Sequence, residues 1–126
     1  MAKKIAIFDD EPDILKVTEA RLKENGYEVV TFSSSKNAIE DIKKEMPDLI
    51  MLDIAMPHKD GYQVCDEIRL DDEIKHLPVI VFTAQPMEKD FINKAYDFYG
   101  ATDFIAKPFD VDELITKVNK YLIGQN

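Results

Sequence analysis

Five short apolar runs alternate with stretches of helical periodicity, and that alternation limits the folds open to this chain more than any other feature of its sequence. The runs fall at residues 4–8, 28–32, 48–52, 78–82 and 104–106. After the first, Asp9-Asp10-Glu11-Pro12-Asp13 opens a helix with carboxylates and an early proline. Ile14, Val17, Ala20, Arg21 and Leu22 give that helix its core face, and Asn25-Gly26 closes it. Ser33-Ser34-Ser35 is expected to cap a second helix through Ala38, Ile39, Ile42 and Met46. Asp60-Gly61 turns into a third, with Val64, Cys65 and Ile68 inward. A fourth carries Met87, Phe91, Ile92, Ala95, Tyr96 and Tyr99, and Asp110 or Asp112 caps a fifth that buries Val111, Leu114, Ile115, Val118, Tyr121 and Leu122. Strands separated by helices imply one doubly wound α/β domain, a parallel sheet covered on both faces. Right-handed crossovers place every strand's C-terminal end on one side, where ligands bind in such sheets.

The residues that follow the strands therefore carry the chemistry. Leu49 to Leu52 is apolar throughout, as a strand buried on both faces should be, and it ends in the carboxylate of Asp53. Strand one is followed by Asp9 and Asp10, strand four by Thr83 and strand five by Lys107. If strands one and three are neighbours, Asp10 and Asp53 lie about 5 Å apart. Two carboxylates that close repel by roughly 3 kcal/mol at an effective dielectric of 20, so the cluster calls for a cation. A hard divalent ion with oxygen ligands, Mg²⁺ above all, suits one or two carboxylates, water and a phosphate. Lys107 lies two strands from Asp53, about 10 Å, a gap only a long flexible cation closes. A carboxylate, a metal, a hydroxyl and a lysine suffice for phosphoryl transfer, which asks mainly for positioning and charge neutralisation.

With 126 residues and no repeat, linker or low-complexity segment, the chain is expected to form a single domain, residues 1–126. Its net charge of −9, with no run of Lys or Arg longer than two, argues against nucleic acid and against anionic membranes as partners. No apolar stretch reaches the length of a membrane span, and the N-terminus lacks the pattern of a signal peptide. Cys65, the single cysteine, permits no internal disulfide and reads as a small core residue. A cytoplasmic protein is expected.

Taken together and in this order, four segments resemble the receiver domain of response regulators, the module of two-component and phosphorelay systems that includes chemotaxis regulators. They are Asp9-Asp10-Glu11-Pro12, Asp53 with Met56-Pro57 and Gly61, Thr83-Ala84, and Gly100-Ala101 leading to Lys107-Pro108-Phe109. The resemblance implies a flavodoxin-like five-stranded sheet in the order 2-1-3-4-5 with five helices. It implies that Asp53 accepts a phosphoryl group from a histidine kinase or a histidine phosphotransfer domain. Asp10, Asp53 and the backbone carbonyl of Ala55 would bind Mg²⁺ (or Mn²⁺), with Asp9 acting partly through water. Thr83 and Lys107 would contact the phosphoryl group, Thr83 and Phe104 would form a switch pair, and the Lys107-Pro108 peptide would be cis. Helix four, strand five and helix five would then present a changed surface to a downstream protein. The implied role is signalling, with the module assisting its own phosphorylation and dephosphorylation, and not turnover as an enzyme.

Some positions depart from the family's pattern. Ala55 and Gln85 stand where longer or different side chains often flank the path of attacking water, so they are expected to tune the phosphoryl lifetime, towards a short one. The distance from Thr83 to Lys107 is a residue or two longer than usual. Asp103 matches a charged pairing face, but Lys117 and Asn119 replace the usual arginines. Among rivals, an aspartate-nucleophile phosphatase needs a second Asp two residues on, where this chain has Ala55. A flavodoxin needs a hydroxyl- and Gly-rich phosphate loop where this chain has Asp9 to Asp13. A receiver-like scaffold that never gains phosphate would have no use for all five pocket residues.

Overall fold

A computed structural model describes residues 2–56, 59–83 and 100–123. Its elements are β1 (Lys4–Phe8), α1 (Pro12–Glu24), β2 (Glu28–Phe32), α2 (Ala38–Glu45), β3 (Leu49–Asp53), α3 (Gly61–Leu70), β4 (Val79–Thr83), β5 (Asp103–Ala106) and α4 (Val111–Leu122). The five strands form one parallel sheet in the order β2-β1-β3-β4-β5, the flavodoxin-like arrangement. Four helices lie among the described residues, and α4 is the fifth that the sequence leads one to expect. The expected helix through Met87 to Tyr99 falls outside the described residues, as do Pro57, His58, Ala84 and Gln85.

Alternation along each strand sorts the core into two layers. Ala6, Phe8, Ile50, Leu52, Val79 and Val81 pack with Ala38 and Ile42 of α2 and with Val64, Cys65 and Ile68 of α3. Ile5, Ile7, Leu49, Met51, Ile80, Phe82 and Ile105 pack with Leu22 of α1 and with Leu114, Ile115 and Val118 of α4. The central strands β3 and β4 are buried at every residue, which is why the sequence writes them as unbroken apolar runs.

Three local expectations need correcting. Val17 is 52% exposed and Ala20 is also exposed, while Thr18 is buried beside Leu22. Thr18 and Leu22 are four apart on one stripe, and Val17 lies about 100° around the helix from Thr18, on the solvent side. Ser33 to Ser35 do not cap α2, whose N-cap position is Asn37. Ser35 instead exchanges hydrogen bonds with Lys59, its hydroxyl donating to the carbonyl at 2.5 Å and accepting from the amide at 3.3 Å, and so ties down the loop after β3. Met46 is half exposed, and its left-handed backbone (φ 45°) ends α2. Of the two candidates for the last cap, Asp110 takes the position, and Asp60, read in the sequence only as part of a turn, caps α3; each carboxylate accepts a backbone N–H of the first turn.

Arg69, which no motif singles out, is the hub of the sheet's N-terminal edge. Its guanidinium donates to the carbonyls of Gly100 (2.8 Å), Leu77 (2.8 Å) and Lys75 (3.0 Å) and to the Thr102 hydroxyl (3.3 Å). One side chain thus joins the loop entering β4 to the residues entering β5. Gly100 has φ +76°, and a Cβ there would lie 2.6 Å from Arg69 Cγ, so glycine is required both for the turn and for the close approach. Cys65 lies in the same helix and is fully buried. Burial pushes its thiol up to about 12, against the opposing pull of Arg69. At pH 8 only about 10⁻⁴ of such a thiol is ionised, so a disulfide reagent should leave native Cys65 untouched and react as the chain unfolds in urea. Rapid labelling without denaturant would contradict this packing.

Candidate functional site

Register brings the strand-end residues together. Phe8 pairs with Leu52, so Asp9 and Asp53 each lie one step beyond that pair, on adjacent strands. Asp53 is itself opposite Phe82, and Thr83 follows at the end of β4. Thr83 pairs with Ala106, and the Thr83 carbonyl accepts the amide of Lys107, which fixes where the lysine leaves β5.

Carboxylate oxygens of Asp9, Asp10, Glu11 and Asp53 all lie within 4.8 Å of one another. Asp9 and Asp53 are buried, whereas Asp10 and Glu11 are exposed at the rim. Lys107 reaches into this group, with Nζ 2.7 Å from Asp9 Oδ2, 3.0 Å from Glu11 Oε1 and 3.3 Å from Asp53 Oδ2. From the edge strand β5 its stem passes over β4 and β3 to a carboxylate at the end of β1, with Nζ 5.6 Å from the centre of the Phe82 ring. Burial alone would lower the lysine's pKa, but hydrogen bonds to Asp9 and Glu11 and the charges of Asp9 and Asp53 raise it to about 12. Asp9 moves up, because burial and the neighbouring Asp53 outweigh the hydrogen bonds from Lys107 and from the Glu11 amide. Asp53 Oδ1 is held by the amide of Ala55 at 3.0 Å, which leaves Oδ2 on the side of the lysine.

Gly61 sets the position of Asp53 from behind. Its amide donates to the Ile54 carbonyl at 2.9 Å, and a Cβ would meet Ile54 Cα at 2.8 Å and the Asp53 carbonyl oxygen at 3.0 Å. Both obstacles are backbone, so Gly61→Ala must displace the turn after β3. A loss of about 2 kcal/mol in urea unfolding is expected, with weaker binding of Mg²⁺ at the carboxylates. Unchanged values for both would show that the turn yields freely.

The structure brings Asp9, Asp10, Asp53, Thr83 and Lys107 to one end of the sheet, as the strand-end reading anticipates, and the Lys107-Pro108 peptide is cis. Ala55 lies beside them, while Gln85 is outside the described residues. Phe104 is half-buried on β5, where its register partner is Val81. In the sequence Glu11 stands only as part of the helix start and the motif. Its ion pair with Lys107 depends on a lysine 96 residues away, and local sequence gives no sign of it. Donors in the cluster are all hard oxygens, two of them exposed, and this set fits a small divalent cation such as Mg²⁺.

A family model described as the response regulator receiver domain matches residues 5–119. A probable transcriptional regulator of Guillardia theta is 42% identical over 124 residues, which cover 98% of this chain and 47% of that protein. The chain thus spans about half the length of this curated relative. A proposed response regulator from Chloroflexus aurantiacus superposes with a TM-score of 0.89 at 32% identity, covering 97% of this chain and 98% of that one. The receiver domain of a Pseudomonas aeruginosa sensor histidine kinase, with a magnesium ion coordinated in its active-site cleft, gives 0.85 at 29% identity over 97% and 98% of the two chains. No helix among the described residues is long and apolar enough to cross a membrane. From the strand order, the acidic cluster with its lysine and the match over most of its length, the chain belongs to the response regulator receiver domain family.

Proposed function

We propose that Asp53 accepts a phosphoryl group from the phosphohistidine of a histidine kinase or a histidine phosphotransfer domain, in a Mg²⁺-dependent reaction. The observation that carries this reading is the position of Lys107, whose ammonium sits 3.3 Å from Asp53 Oδ2 inside a cluster of four carboxylates. Oδ2 attacks phosphorus, the P–N bond breaks, and its electron pair returns to the imidazole. Lys107 balances charge on the phosphoryl oxygens and the Thr83 hydroxyl donates to one of them. The Ala55 amide keeps the nucleophile oriented through Oδ1. Asp9, Asp10, Asp53 and the Ala55 carbonyl would hold Mg²⁺, with Mn²⁺ able to replace it. When bound, the ion offsets the mutual repulsion of carboxylates and phosphate.

In this reading Thr83 moves towards the phosphoryl group, the Phe104 ring turns inward, and the surface formed by β5, α4 and the segment 87–99, where the sequence leads one to expect a helix, changes for a downstream protein. Residues 1–126 act as one cytoplasmic receiver domain that signals by protein contact, with no direct role for nucleic acid or membrane. Ala55 and Gln85 set how long the phosphoryl group lasts. The alternative, a phosphatase with an aspartate nucleophile, lacks its acid at Ala55. Phosphate release from acetyl phosphate and Mg²⁺ separates the two. A receiver gains an acid-stable, base-labile phosphoryl group at Asp53 and releases phosphate only as that adduct decays, whereas sustained rapid turnover with no such adduct would overturn the proposal.

A further inference from the structure

Lys117 is bound to two groups that lie on opposite faces of the sheet. Asp103 and Phe104 are consecutive residues of β5, so their side chains point to opposite sides. Phe104 packs against the layer formed with α2 and α3, while α4, which carries Lys117, lies on the other. Yet Lys117 Nζ is 2.9 Å from Asp103 Oδ1 and 5.4 Å from the centre of the Phe104 ring. This is possible only because β5 is the edge strand, so the lysine can pass around its open side. Asp103 anchors the lysine, and is itself fixed by the Tyr121 hydroxyl on Oδ2 at 2.7 Å and by the Phe104 amide on Oδ1 at 2.8 Å.

We propose that Lys117 is a positioning residue that latches the Phe104 ring at the strand edge and so sets how readily the domain switches. The inference rests on the switch role given to Phe104 above. An ammonium over a ring face is attracted by the ring's negative face, and turning the ring inward forfeits that contact. The Asp103–Tyr121 anchor stays in place whichever way the ring points, so the ammonium is held ready to recapture the ring. The latch therefore favours the unswitched form, and its removal shifts the balance without any change in the carboxylate cluster.

The test uses the full chain and beryllium fluoride with Mg²⁺, which forms a phosphoryl-like adduct on a carboxylate. Three variants are compared with the wild type: Lys117→Met, Lys117→Arg, and Lys117→Met combined with Asp103→Asn. Lys117→Met should move the Phe104 ring resonances towards the inward position before any beryllium fluoride is added. It should also lower the concentration for half-saturation about two- to fivefold. Lys117→Arg, which keeps the cation, should restore wild-type behaviour. The double variant should retain the shift, because Asp103 no longer carries an unbalanced charge.

Lys117→Met with wild-type ring signals and the wild-type midpoint would overturn the latch, as would a double variant that reverts to wild type. The wild type alone reports on the underlying reading. If it switches with beryllium fluoride while Lys117→Met follows the same curve, only the latch fails. If the wild type takes up no beryllium fluoride, the receiver reading and the latch fail together.

Discussion

Lys107→Met is expected to slow phosphoryl uptake at Asp53 from acetyl phosphate by about a hundredfold, the scale of losing one charged group poised at a transition state. The same change should strengthen Mg²⁺ binding. Lys107 occupies the centre of the carboxylate cluster, within 3.3 Å of three carboxylates. Replacing its ammonium with an apolar tip leaves those negative charges without their nearest cation, and a divalent ion gains what the lysine gives up. A slower reaction with tighter metal binding is therefore the signature of a lysine that acts on the transferred group. A fall in both would point to general damage, and no change in rate would remove Lys107 from the chemistry. Stopped-flow uptake and calorimetric titration with Mg²⁺ give the two numbers.

Arg69→Met should be the most destabilising single change at the opposite end of the sheet. It removes four hydrogen bonds from one half-buried cation and leaves the carbonyls of Lys75, Leu77 and Gly100 without that donor. Three orphaned acceptors at about 1–3 kcal/mol each, partly relieved by water, give an expected loss of about 3–5 kcal/mol in urea denaturation. Arg69→Lys should recover little of it, because one ammonium cannot span acceptors in two separate loops as the planar fork does. A loss below about 1 kcal/mol would mean that the two loops hold without the clamp.

These two residues mark what the sequence does and does not disclose. Lys107 was legible because it follows a strand: once the runs at 48–52 and 104–106 are read as parallel neighbours of others, their C-terminal ends must meet. Asp9, Asp53 and Thr83 follow by the same rule, and the register pairs agree with it. The order β2-β1-β3-β4-β5 did not follow from the runs and came with the family resemblance. Arg69, Glu11 and the path of Lys117 around β5 were not legible. Arg69 joins carbonyls 6 and 8 residues on to partners 31 and 33 residues away, Glu11 pairs with a lysine 96 residues away, and the path of Lys117 depends on which strand is the edge. Val17 failed for a different reason. Apolar spacing identifies a stripe on a helix but not which of two adjacent stripes turns inward, and here Thr18, a polar residue, took the buried position.

The most direct test is to incubate the chain with Mg²⁺ and acetyl phosphate, digest it, and locate the added mass by peptide sequencing in a mass spectrometer. The account predicts one phosphoryl group on Asp53, labile to base, absent when EDTA removes the ion and absent from Asp53→Asn. Phosphate found on another residue, or gained equally by Asp53→Asn, would contradict it.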